Sequence, residues 1–172
     1  MSREFKDIDF LVSSLKIFDD KKSHILITGA IKSGKSTLLN EFIKKYYNDC
    51  SIDGIITKLV ITDKFRIELS RFNCDKKVVI GERKVGGMDF FDDVFLENSF
   101  NIMNDFKKDT QILLFDEIGN NELHLKDYSD KLISYFQEYR VFAVLKKVGN
   151  PIFENLDKIG SYKLFDLDKM YE

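Results

Sequence analysis

The chain is predicted to fold as a three-layer α/β protein, with a mainly parallel sheet between helices, a small β-hairpin insertion and a short N-terminal helix. Three observations predict it. Short apolar runs at Ile25–Ile27, Ile112–Phe115 and Val141–Leu145 lack the polar alternation of half-exposed strands, as expected for strands covered on both faces. Segments with helical spacing of apolar residues lie between them. The chain has a single proline, Pro151, and no Gly/Ser-rich linker, so the alternation continues unbroken as one domain over 23–172 after an extension over 1–22.

Taken in order, Phe10-Leu11-Val12 with Leu15, Ile17 and Phe18 predict a short amphipathic helix covering a sheet edge. His24–Thr28 is the first core strand, followed by a Gly-containing loop and the helical pattern Leu38–Ile43. Asn48, Asp49 and Cys50 mark the end of that helix. Ile52–Thr57 is the second strand; Lys58–Ile61 and Phe65–Leu69 form a hairpin turning at Thr62-Asp63-Lys64, and Lys76–Gly81 adds a further strand. Phe91, Val94, Phe95, Phe100 and Met103 place a helix over 89–106. Gln111–Phe115 is a buried strand, 128–139 a helix, and Val141–Leu145 another buried strand. Pro151 opens a helix to about Ile159, since proline in a first turn sacrifices no hydrogen bond. Tyr162–Phe165 closes the sheet.

Composition narrows the function. With 172 residues, 44% hydrophobic and 33% charged, the chain can bury a full core and is expected to be globular rather than disordered. A net charge of -2 supplies no basic field, so nucleic acid is not indicated. The apolar runs are too short to span a bilayer, and acids among the first seven residues argue against a secretory signal. Cys50 and Cys74 lack CxxC spacing and only two histidines are present, so a structural zinc site is not expected and both thiols suit a reducing cytoplasm. The expected state is a cytoplasmic monomer or weak oligomer. Nothing in the sequence names a protein partner.

Chemistry concentrates in two segments. Gly29-Ala30-Ile31-Lys32-Ser33-Gly34-Lys35-Ser36-Thr37 has the spacing of a phosphate-binding P-loop between strand and helix. Gly29 and Gly34 let the backbone wrap with its N–H groups inward, and the following helix turns its positive end to the phosphates. Lys35 reaches the β- and γ-phosphates, and the Ser36 hydroxyl ligates Mg²⁺. The ligand expected is a nucleoside triphosphate, ATP, GTP or another. The second segment is Ile112-Leu113-Leu114-Phe115-Asp116-Glu117. A buried strand carries Asp116 to the end of the sheet where ligands bind, to hold a Mg²⁺ water with Ser36. Glu117 is placed to orient or deprotonate the attacking water. Lys32, Arg66, Arg71, Arg83, Arg140, Lys146 and Lys147 are candidates for a cation that meets growing charge on the γ-phosphate, and the sequence singles out none. His24 reads as structural and His124 as an outer-shell candidate. Cys74 has no nearby histidine to activate it.

These residues carry a resemblance. The P-loop at Gly29–Thr37, the segment Asp116-Glu117-Ile118-Gly119-Asn120-Asn121-Glu122-Leu123 and the strand Gly54-Ile55-Ile56-Thr57 resemble the small P-loop nucleoside-triphosphatases that include the human cancer-related nucleoside-triphosphatase and its archaeal and bacterial relatives. Weaker echoes are Val85-Gly86-Gly87-Met88-Asp89 ahead of a helix containing Phe95, and the region from Lys146-Lys147 to Pro151. The resemblance spans about Ile25 to Phe165. It implies a RecA-like core, slow Mg²⁺-dependent conversion of NTPs to NDPs and phosphate with broad base tolerance, and Glu117 as the water-activating acid. Two segments depart from the family pattern. Lys58-Leu59-Val60-Ile61 stands where the family has acidic and arginine residues, and Phe165–Met170 lacks its base-associated Asn-Arg pair. Two further readings stay open: phosphoryl transfer to a nucleoside or nucleotide, and a nucleotide-dependent switch with little turnover.

Overall fold

A computed structural model describes residues 7–147 and 150–170. Its centre is a stretch of parallel strands too apolar to face water. β1 (His24–Thr28) is buried at every position, and β6 (Ile112–Ile118) and β7 (Arg140–Leu145) nearly so. Side chains alternate across them. Ile25, Ile27, Ile112, Leu114, Phe142 and Val144 face one layer of helices, while Leu26, Leu113, Phe115, Val141, Ala143 and Leu145 face the other. The first layer holds α1 (Ile8–Phe18) and α2 (Lys35–Tyr46); the second holds α3 (Asp92–Asn104) and α5 (Lys126–Glu138). Phe42 of α2 is fully buried, ringed by Tyr46, Tyr47 and Phe142 at centroid distances of 5.5–5.9 Å. Burying one such ring contributes about 1.5–3 kcal/mol.

The sheet has eight strands in the order β5-β4-β3-β2-β6-β7-β1-β8. β2 (Ile52–Ile61), β6, β7, β1 and β8 (Tyr162–Asp166) run parallel; β2, β3 (Phe65–Arg71), β4 (Lys77–Lys84) and β5 (Gly87–Phe90) form an antiparallel extension. The two predicted pieces of β2 are one ten-residue strand, paired to β6 by its first half and to β3 by its second. Gly54 makes this junction possible, because a Cβ there would lie 2.0 Å from the Leu114 carbonyl oxygen. No helix among the described residues is long and apolar enough to cross a membrane.

α1 packs on the sheet face beside α2, in one core cluster with Phe165 of the edge strand β8, whose ring Phe18 meets edge-on at 5.7 Å. Several expectations are corrected. α3 starts at Asp92, not Asp89, because Gly87–Phe90 pairs with β4 as β5. Pro151–Lys158 is a 3₁₀ segment with non-helical backbone at Asn155, not a regular helix; Asn150 caps it by accepting from the Ile152 N–H at 3.0 Å. A single helical turn, α4 (Asn120–Leu123), and a 3₁₀ turn, Leu167–Met170, have no counterpart in the sequence reading. Residues 148 and 149 of the Lys-Lys to Pro151 region, and the chain's first six residues, lie outside the described residues.

Candidate active site

The site forms at the C-terminal ends of the parallel strands, where β1 gives way to the loop 29–34 and α2. The loop takes backbone shapes that favour glycine. Gly29 has φ 147° and Gly34, the N-cap of α2, has φ 87°. Lys32 at φ 60° is a non-glycine held left-handed at the loop tip. Gly29 also sits where a Cβ would crowd Ser33 Oγ at 3.0 Å and Leu167 Cβ at 3.1 Å. Ile31, Lys32 and Thr37 are exposed, while Ser33 and Lys35 are buried. Lys35 Nζ donates to the carbonyls of Gly29 at 3.2 Å and Ala30 at 3.0 Å, folding the side chain over the loop. Ser33 Oγ is buried without a hydrogen-bond partner among the described residues. Such a donor costs roughly 1–3 kcal/mol unless a ligand oxygen satisfies it, and phosphate supplies such oxygens.

β6 delivers the second half. Ser36 Oγ donates to Asp116 Oδ1 at 2.7 Å, across one intervening strand, β7. Burial pushes the Asp116 carboxyl up; the Ser36 hydroxyl and the charge of Lys58 pull it back part of the way. The β6–β7 register shifts between Asp116 and Ile118, so Glu117 is an extra, unpaired residue, and the peptide joining the two acids is cis. A bulge of this kind re-aims a side chain. Glu117, 38% exposed, brings Oε1 to 3.6 Å from Lys35 Nζ. The Ile118 carbonyl behind it accepts from the Lys146 N–H and Asn150 Nδ2, each at 3.0 Å.

Ser36 and Asp116 fit a divalent cation that arrives with a triphosphate. Mg²⁺ is commonly held by one or two protein oxygens with phosphate and water completing the shell. Among the described residues no group of three His, Cys, Asp or Glu converges as a self-sufficient metal site.

The candidate cations separate by position. Arg140 donates to Asp19 at 2.6 Å and to the Ser23 carbonyl at 3.0 Å, before β1 begins, at the opposite end of the sheet. Arg71 is held by Asp53 at 2.9 and 2.5 Å, at the start of β2. Arg66 lies 3.8 Å from Glu82, and Arg83 stacks on Phe65, both in the antiparallel extension. Lys147 pairs with Asp166 at 3.0 Å and Asp168 at 2.8 Å. Lys32 and Lys146 line a cleft of about 490 Å³ that also holds Lys35 and Glu117. His124 meets Asp92 at 3.2 Å on the surface and is not among the residues that line this cleft. His24 is buried and accepts from the Val141 N–H at 3.0 Å, a structural role.

Three residues to which the sequence reading gave no role also bear on the site. Glu122 is buried and accepts from the Gly119 N–H at 3.1 Å, bracing the turn behind Glu117; burial pushes its carboxyl up. A carboxylate three residues after a helix start is a capping signal that could have found it. Lys58 acts electrostatically on Asp116 from β2, one strand away in a pairing that sets Ile56 opposite Asp116. Asp168 accepts from the Ala30 N–H at 3.0 Å, latching the last 3₁₀ turn to the loop. Nothing local in the sequence announces that contact.

The family model described as NTPase matches residues 24–170, from β1 to the final turn. No curated protein sequence matches the chain. In structure it is similar to the crystal structure of THEP1 from the hyperthermophile Aquifex aeolicus, at 21% identity and TM-score 0.66, covering 84% of this chain and 89% of that one. It is also similar to the solution structure of a human cancer-related nucleoside triphosphatase, at 15% identity and TM-score 0.64, covering 84% and 88%. At these identities the likeness establishes the fold.

Proposed function

The chain belongs to the NTPase family, and from that premise we propose that its cleft hydrolyses nucleoside 5′-triphosphates, with Mg²⁺ and broad base tolerance, to the diphosphate and inorganic phosphate. One observation carries the proposal. The two acids of β6 each reach a P-loop side chain, Asp116 to Ser36 at 2.7 Å and Glu117 to Lys35 at 3.6 Å.

In this reading Gly29–Thr37 wraps the phosphates with main-chain N–H groups, and Lys35 exchanges its loop carbonyls for β- and γ-phosphate oxygens. Ser36 and Asp116 would hold the Mg²⁺ that arrives with the substrate, which would supply charge neutralisation at the phosphates. Glu117 accepts a proton from the water that attacks the γ-phosphorus, and the β–γ bridging oxygen departs with the nucleoside diphosphate. Lys32 and Lys146 face the charge that grows on the transferred group. The proposal places the catalytic unit at 23–172, with 1–22 as a helical extension, in the cytoplasm.

Phosphate release from ATP, GTP, CTP and UTP, with and without Mg²⁺, tests it. Lys35→Ala and Glu117→Gln are each expected to lower the rate about a hundredfold or more. Release from Glu117→Gln at the wild-type rate would remove Glu117 from the mechanism, and no release from any triphosphate would end the proposal.

A further inference from the structure

Hydrolysis needs room for one water beyond the terminal phosphate. The cleft, about 490 Å³ in all and so within the range of roughly 300–1,000 Å³ typical of small-molecule sites, takes the triphosphate at Lys32, Lys35 and Glu117 and extends past them to a wall on β2, β3 and β5. Its wall is also the wrong chemistry for water alone. β2 and β3 pair Leu59 with Ile67 and Ile61 with Phe65, so alternation turns Leu59, Ile61 and Ile67 to one face. Met88 of β5 and Ile31 of the loop tip complete the apolar part of the lining. Gly81 keeps this face shallow, because a Cβ there would press Ile67 at 3.3 Å and the Asp89 carbonyl at 3.0 Å. Ile31 is 80% exposed, Leu59 54%, Ile61 50% and Met88 40%. A cluster of exposed apolar side chains marks a binding surface in most monomeric proteins. Here it faces a carboxylate, Glu117, with Lys35 beside it.

We propose that this cleft seats an alcohol with an apolar body, and that the enzyme transfers the γ-phosphoryl group to its hydroxyl. The inference rests on the triphosphate site proposed above and changes only the nucleophile. The acceptor O–H gives its proton to a Glu117 carboxylate oxygen while a lone pair of the acceptor's own oxygen bonds to the γ-phosphorus. The bond from phosphorus to the β–γ bridging oxygen breaks, and its electron pair leaves with the nucleoside diphosphate. Apolar contact with Leu59, Ile61, Ile67 and Met88 orients the acceptor, and neither oxidant nor reductant takes part.

The test is partition between water and simple alcohols. The full chain is incubated with Mg²⁺ and γ-³²P-labelled ATP in equal concentrations of methanol, ethanol, 1-propanol, 1-butanol and 1-pentanol, and alkyl phosphate is measured against inorganic phosphate. The ratio is expected to climb about threefold to fourfold with each added methylene, the factor that full burial of a CH₂ provides. Leu59→Asn and Met88→Asn, both at exposed positions, should flatten that climb. Alkyl phosphate absent from every alcohol, or in a ratio indifferent to chain length, overturns the inference and leaves the apolar wall as a solvent screen. If inorganic phosphate still forms in those reactions, the hydrolytic reading survives; if it does not, that reading falls as well.

Discussion

His24 shows how a single side chain can set a protein's response to acid. Burial holds its ring below the usual histidine range, against the pull of the backbone carbonyls at Ile159 and Phe136. Its Nδ1 accepts from Val141, a bond that the protonated ring cannot make. Because the folded-state pKa is depressed, the stability it contributes is complete above the unfolded value near 6.5 and is lost as pH falls through the folded one. Stability is therefore expected to fall between pH 7 and pH 5 by up to about 1.4 kcal/mol per pH unit, seen as a falling melting temperature, and to fall less in His24→Gln. Equal slopes in the two proteins would clear His24 of the effect. At this scale the meeting of Lys35 and Ser36 with Asp116 and Glu117 was legible in the sequence, because the spacing of a P-loop and of a strand-end acid pair puts them at one end of the sheet. Asp168 was not legible, since its contact with Ala30 spans 138 residues. Lys58 was visible only as a departure from the family pattern, and its position beside Asp116 needed the strand pairing.

Two elements depend on contacts that can be broken singly. β2 approaches β6 so closely at Gly54 that any side chain meets backbone. Gly54→Ala is expected to cost more than about 4 kcal/mol, the exceptional end of single substitutions, and to displace the strand carrying Asp116. A soluble, fully stable Gly54→Ala protein would show that β2 shifts freely. α1 is tied down by Asp19, just past its C-terminus. Burial raises that carboxyl, but Tyr47, the Lys21 N–H, Arg140 and Lys16 outweigh it and hold it at about 2. The stability it contributes is thus present above the unfolded value of 3.8 and lost as pH falls toward 2. Its side chain is wholly covered and bonded to Arg140 at 2.6 Å. Asp19→Ala is expected to cost about 3–5 kcal/mol, as when one partner of a buried pair is removed; denaturant titration measures it. Element types were legible wherever periodicity was strong, as in α2, α5 and the core strands. β5 was not, because the four residues Gly87-Met88-Asp89-Phe90 alternate for too short a stretch to mark a strand on their own and are fixed by pairing with β4.

Across the whole molecule, ligand and fold are linked by mass action. A triphosphate bound only by the folded state adds about 2.7 kcal/mol at a hundred times its Kd. For a chain of this length that raises the melting temperature by about 5–10 °C. Mg·ATP is expected to produce the shift in the wild type and not in Lys35→Ala; no shift in either would show that the loop does not hold the nucleotide. The layered architecture was legible from alternating apolar runs and helical periods. Strand order was not, because periodicity says that a strand is buried and not which neighbour it pairs with; β7 between β1 and β6 emerges only in three dimensions. The Asp168 latch to the Ala30 N–H has a practical consequence for anyone handling this protein. Because the turn Leu167–Met170 is fastened to the loop 29–34, a proteolytic nick within that turn would be felt 138 residues away in sequence.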